Sequence, residues 1–134
     1  MPHTIQDLVA TMETVAPTCH GASWDNVGLL VGDAGWTLHT AFLTIDLTME
    51  VLLEAKRADA DAVIAYHPPI FSGLKRLVAG DPASAVVLEA ASSHIALYSP
   101  HTALDAAPGG MTDWLADGIG AGDATPLQAA TELG

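Results

Sequence analysis

Three side chains in this sequence have the types and spacing to bind a metal ion: His67, His101 and Asp105. His67 follows an apolar run, Ala62 to Tyr66, and precedes Pro68-Pro69. The prolines stiffen the backbone, so the ring is aimed rather than free. A neutral imidazole is a common ligand for zinc, iron or manganese. A histidine capping a strand end or packing in the core is the other reading of that position. His101 and Asp105 form a His-x-x-x-Asp pair. Within one helical turn the two would share a face, and in a loop they can still converge. The carboxylate supplies a hard oxygen ligand or orients a histidine from behind. It could equally hold the chain before Pro108 by local hydrogen bonds.

The remaining reactive types are weaker candidates. Asp25-Asn26 could bind a ligand, although capping a turn before the next strand explains it more simply. Asp46 has the same ambiguity, because N-capping the following helix accounts for it. Tyr66 reads as a packing residue with its hydroxyl near the site. Cys19 is the only cysteine; with no base signal nearby it reads as structural. Lys75-Arg76 could meet an anionic substrate or simply be solvated. His3, His20, His39 and His94 have no partner pattern. Gly109-Gly110 is a turn, since the spacing of a phosphate loop is absent.

These residues need a scaffold, and the hydrophobic pattern supplies one. Ile5, Leu8, Val9, Met12 and Val15 recur at helical spacing, predicting a helix over Thr4–Val15 with Thr4 and Asp7 as a capping box. Val27–Val31 and Ala41–Asp46 read as strands. A helix over Met49–Ala58 follows, with Thr48 or Asp46 as N-cap. Ala62–Tyr66 has no polar alternation, so it should be a strand covered on both faces. Asp81-Pro82 opens a helix to about Ser93. Ile95–Tyr98 is a fourth strand, a polar bend carries His101 and Asp105, and Met111–Ala116 is helical. Residues 70–79 are ambiguous, and Pro126–Leu133 has only a weak helical face. The alternation predicts one layered α/β domain with a mixed, largely parallel sheet flanked by helices. Sites in such sheets lie beyond the carboxyl ends of the strands, where His67 and His101 fall.

Composition sets the limits. At 134 residues and 50% hydrophobic content, the chain suits one domain with a real core. Its net charge of −12, with only Lys56, Arg57, Lys75 and Arg76 basic, weighs against nucleic-acid and anionic-membrane surfaces. No apolar run would span a bilayer, and no secretory signal is evident. A cytoplasmic protein is the expectation.

Several motifs in order carry a family likeness. They are Trp24-Asp25-Asn26-Val27-Gly28-Leu29, Thr44-Ile45-Asp46-Leu47-Thr48, His67-Pro68-Pro69-Ile70-Phe71 and His101-Thr102-Ala103-Leu104-Asp105. The last is followed by Gly109-Gly110 and Asp113-Trp114-Leu115-Ala116. Together they resemble the N-terminal half of the Nif-three-like dinuclear-metal proteins, also called GTP cyclohydrolase I type-two homologs. The resemblance runs from the first helix to about Ile119. It implies a toroidal homohexamer of α/β subunits carrying a pair of divalent metals. In that pattern a His-His pair ends the third strand; His67 matches the second, while Tyr66 stands where the first would be. The match to Asp105 binds the same metal as His67, and the match to His101 binds or supports it. The remaining ligands belong to a Gly-His-x-x-Thr-Glu motif, which this sequence lacks. A partial, mononuclear site is therefore the expectation, with zinc, iron or manganese as the ion.

The resemblance implies metal-assisted hydrolysis, in which bound water becomes hydroxide near neutral pH. The implied substrate is a small molecule, with a nucleotide as the candidate. The missing ligands equally suit a non-catalytic assembly or regulatory module, or a truncated product. A half-length chain should also expose apolar surface and self-associate.

Overall fold

The computed structural model describes residues 2–126. A two-residue strand β1 (His3–Thr4) leads into helix α1 (Ile5–Val15), and a single 3-10 turn follows at Thr18–His20. Strands β2 (Gly28–Val31), β3 (Thr37–Leu38) and β4 (Ala41–Thr44) come next. Helix α2 (Met49–Arg57), strand β5 (Ala62–Ala65), helix α3 (Pro82–Ser92) and strand β6 (Ala96–Ser99) complete the repeating part. Helices α4 (His101–Ala106) and α5 (Met111–Ile119) end the described chain.

The main sheet has the order β2-β6-β5-β4. β4, β5 and β6 are parallel, whereas β2 lies antiparallel to β6 with an irregularity between Leu29 and Val31. The expected mixed, largely parallel sheet is thus present. β5 is apolar at every position because both its faces are covered. Val63 pairs with Phe42 and Leu97 across the register. Val63 and Leu97 pack against Leu52 and Ala55 of α2 and Val86 and Ala90 of α3. On the opposite face, Ala62 and Ala96 lie beneath Ile5 and Leu8 of α1. Burying a side chain such as Leu52 contributes roughly 2 kcal/mol.

Local polar bonds set the helix starts. The Thr4 N–H donates to Asp7 Oδ2 at 2.7 Å, which forms the expected capping box. Thr48 accepts from the Val51 N–H, so Thr48 is the cap and Asp46 is free for other work. Asp81 accepts from the Ser84 N–H at 2.9 Å, with Pro82 in the first turn. Asp61 accepts from the His39 and Thr40 N–H groups at 2.6 and 2.9 Å and fastens the approach to β4 beside β5. Lys56 pairs with Glu89 and links α2 to α3.

Three details differ from the sequence reading. The β1–β3 ladder was not anticipated, because two-residue strands are too short to show a period. The expected polar bend carrying His101 and Asp105 is the short helix α4. Helix α5 continues to Ile119. The ambiguous residues 70–79 form no helix or strand, and Pro126–Leu133 lies, beyond its first residue, outside the described residues. Among the described residues no helix is long and apolar enough to cross a membrane. Edge strand β4 and its extension leave Leu43 72% and Ile45 64% exposed, and α5 leaves Trp114 and Ile119 open to solvent.

Candidate functional site

The three parallel strands end on one edge of the sheet. There β4 leads to Asp46, β5 to Tyr66-His67 and β6 to Pro100-His101. Because β2 runs the other way, the residues entering it, Asp25-Asn26, arrive at the same edge.

Each candidate imidazole is held by a carboxylate at Nδ1. His67 Nδ1 lies 2.7 Å from Asp46 Oδ1. His101 Nδ1 lies 2.9 Å from both oxygens of Asp25. A neutral ring donating Nδ1–H to a carboxylate presents Nε2 as its ligand atom, the arrangement common behind metal-bound histidines. The two rings are 5.4 Å apart by centroid. Two imidazoles bound to one tetrahedral ion stand roughly 5 Å apart by centroid, given metal–nitrogen bonds of about 2 Å. In spacing and chemistry the pair fits a single ion.

Tyr66 stands beside both rings, 5.0 Å from His67 and 5.6 Å from His101 by centroid. Its hydroxyl donates to Asp105 Oδ1. Burial, with the hydrogen bond to Asp105 and the charges of Asp105 and Asp25, pushes the phenol up to about 12. At neutral pH Tyr66 is a hydrogen-bond donor, not an anionic ligand. Asp105 is engaged by this phenol, and among the described residues no three His, Cys, Asp or Glu side chains are gathered to hold an ion. The structure brings His67 and His101 together and places Asp105 one helical turn beyond His101.

Asp25 is the anchor. Its side chain is 0% exposed. Burial alone would raise its pKa, but bonds from the Thr102 hydroxyl, His101 and the Asn26 and Thr102 N–H groups outweigh it and hold the carboxyl at about 2. The Thr102 hydroxyl also accepts from the Ala22 N–H at 2.9 Å. Asn26 Nδ2 donates to the Ile70 carbonyl at 2.6 Å, tying this stretch to the segment after His67-Pro68-Pro69. His101 adopts φ +28°, a region that costs a non-glycine residue of order 1–3 kcal/mol. Its bonds to Asp25 and those of the Ala103 and Leu104 N–H groups to the Pro100 carbonyl hold it there.

Asp25 and Asp46 are the residues that sequence reasoning underweighted. The Asn26 N–H does bond to Asp25 at 2.8 Å, as a turn residue would, but its main partners are His101 and Thr102. Asp46 caps no helix. The available signal was the position of each aspartate at a strand end on the same edge. Cys19 is exposed in the 3-10 turn and does not pack in the core. Lys75 and Arg76 are exposed. A largely apolar cavity of about 530 Å³ lies between the first turns of α2 and α3, lined by Leu47, Met49, Pro69 and Val86.

The chain resembles known proteins along most of its length. It is 42% identical over 124 residues to NIF3-like protein 1 of Homo sapiens, covering 92% of this chain and 33% of that protein. It is 32% identical to the GTP cyclohydrolase 1 type 2 homolog of Bacillus subtilis, covering 85% and 31%. The chain thus spans about a third of the curated relatives it matches. A hypothetical protein of Staphylococcus aureus superposes with a TM-score of 0.82 at 33% identity, covering 87% of this chain and 39% of that one. A Bacillus cereus protein related to NIF3 gives 0.82 at 28% identity, covering 89% and 33%. The family model Duf34/NIF3 (NGG1p interacting factor 3) matches residues 3–134, and the chain belongs to that family.

Proposed function

We propose that this chain carries part of the centre of a divalent-metal-dependent hydrolase, with His67 and His101 as nitrogen ligands and Asp105 as the oxygen ligand. The observation that supports it is the pair of imidazoles 5.4 Å apart, each backed at Nδ1 by a carboxylate. A divalent ion held there, zinc, iron or manganese, would make hydroxide available near neutral pH.

The chain's own residues have distinct roles in this reading. Asp46 fixes the tautomer of His67, and Asp25 fixes that of His101. Asp25 does so from a buried position, so His101 is the more rigid of the two. Lys75 and Arg76, on the segment after Phe71, are available to an anionic group of a small-molecule substrate, and a nucleotide fits that chemistry. The name GTP cyclohydrolase 1 type 2 homolog, carried by the Bacillus subtilis relative, favours purine-ring hydrolysis as the reaction class. A single cysteine without a disulfide suits a reducing cytoplasm.

The engagement of Asp105 by Tyr66 favours a second reading, a non-catalytic assembly module built on the same fold. Metal content after dialysis against Zn²⁺, Mn²⁺ or Fe²⁺ separates the two. The hydrolase reading expects about one ion per chain, lost in His67→Ala and His101→Ala. No uptake by the 134-residue chain under generous supply would leave the assembly module.

A further inference from the structure

We infer that Tyr66 is a positioning residue that acts on the centre through Asp105, an inference resting on the reading of His67, His101 and Asp105 as ligands. Each of these three side chains has one side-chain hydrogen-bond partner among the described residues. Asp46 meets His67, Asp25 meets His101, and Tyr66 meets Asp105. The partner types are complementary to the ligands they hold. An imidazole is oriented by an acceptor at its Nδ1–H, whereas a carboxylate is oriented by a donor. A phenol supplies that donor without adding a charge that would repel or compete for a cation.

The geometry also shows why Asp105 needs such a partner. It lies near the end of a six-residue helix, and the Tyr66 hydroxyl is the hydrogen-bond donor to its carboxylate among the described residues. The bond uses Oδ1, and a carboxylate has about four acceptor sites, so Oδ2 remains for an ion. Without the phenol, the carboxylate must be ordered at the moment of binding. Partners of this kind change metal affinity by about 10–100-fold when removed.

The test is Zn²⁺ affinity by competition with a chromogenic chelator, and Co²⁺ absorption, for the wild-type chain and for Tyr66→Phe, Asp105→Ala and the double variant. Far-UV circular dichroism on the same samples checks the fold. Tyr66→Phe is expected to weaken Zn²⁺ binding about 10–100-fold and to alter the Co²⁺ band. In the Asp105→Ala background the same substitution should have no further effect, because its route is gone. Affinity unchanged or tightened in Tyr66→Phe would overturn the inference and leave the ligand reading standing. An equal loss in both backgrounds would also overturn it, since Tyr66 would then act by another route. No uptake by the wild-type chain would overturn both.

Discussion

His101 Nδ1 meets both carboxylate oxygens of Asp25 at 2.9 Å, across 76 residues of sequence. The other imidazole–carboxylate pair, His67 with Asp46, is drawn together as closely but is open to water, with Asp46 69% exposed. The same chemistry therefore has different energetic weight at the two positions. Asp25→Ala removes a buried carboxylate, strands the half-buried His101 and Thr102, and should cost about 3 kcal/mol of stability. Asp46→Ala should cost less than about 1 kcal/mol. Urea unfolding of the two variants checks the contrast, and equal losses would refute it.

Acid should weaken the fold through Asp25 in a defined window. Its folded pKa of about 2 lies below the ordinary 3.8. A depressed carboxyl stabilises the folded chain above its unfolded pKa, and that contribution is lost as pH falls from about 4 toward 2. For Asp25 alone the loss is roughly 2 kcal/mol. Asp61 works in the same direction: burial raises it, but the Thr40 and His39 N–H groups hold it lower. Unfolding free energies at pH 6, 4 and 3 should fall across the last interval, and Asp25→Asn should flatten that fall.

The backbone at His101 gives an inverted substitution order. Alanine normally outranks glycine in a helix by about 1 kcal/mol. At φ +28° alanine keeps the strain, whereas glycine relieves it. His101→Gly should therefore be more stable than His101→Ala by about 1 kcal/mol, read from thermal midpoints. The ordinary order would mean that the strain is absent in solution.

The turn between α4 and α5 distinguishes two adjacent glycines. A Cβ on Gly110 would lie 2.0 Å from the Leu104 carbonyl oxygen and 2.7 Å from that of Ala107, whereas Gly109 has open space at φ +71°. Gly110→Ala must displace backbone and should cost about 3 kcal/mol. Gly109→Ala should cost about 1 kcal/mol. Chemical denaturation of the pair measures the difference.

Exposed apolar residues on β4 and α5 set an expectation for association. Leu43, Ile45, Trp114, Leu115 and Ile119 are all open to solvent, and large apolar patches mark contact surfaces. Sedimentation equilibrium should show concentration-dependent self-association opposed by the charge of −12. Leu43→Lys with Ile45→Lys should shift it toward monomer. A clean monomer at high concentration would count against that.

The layered fold was legible because its signals are local. The unbroken apolar run of Ala62–Ala65 marked a covered central strand, and Asp81-Pro82 marked the start of α3. Of the candidate site, His67 and His101 were legible as histidines just past strand ends, and Asp105 as a carboxylate four residues beyond His101. The two aspartates behind the imidazoles were not, because each offered a sufficient local explanation. Thr48 had to take the capping role before Asp46 became free, and only the direction of β2 brings Asp25 to His101. The helical state of His101–Ala106 was also hidden, since Pro100 and a left-handed φ give no helical pattern.

The separation of Asp25 from His101 has a further consequence for the order of assembly. The His67–Asp46 pair spans 21 residues and lies within the β4–α2–β5 unit. It can close as soon as that unit forms. The His101–Asp25 pair must wait until β2 docks against β6, which closes a much longer loop of chain. Half of the candidate site is thus expected to close early and half last. Slow amide exchange at Thr102 would mark a chain whose sheet has been completed.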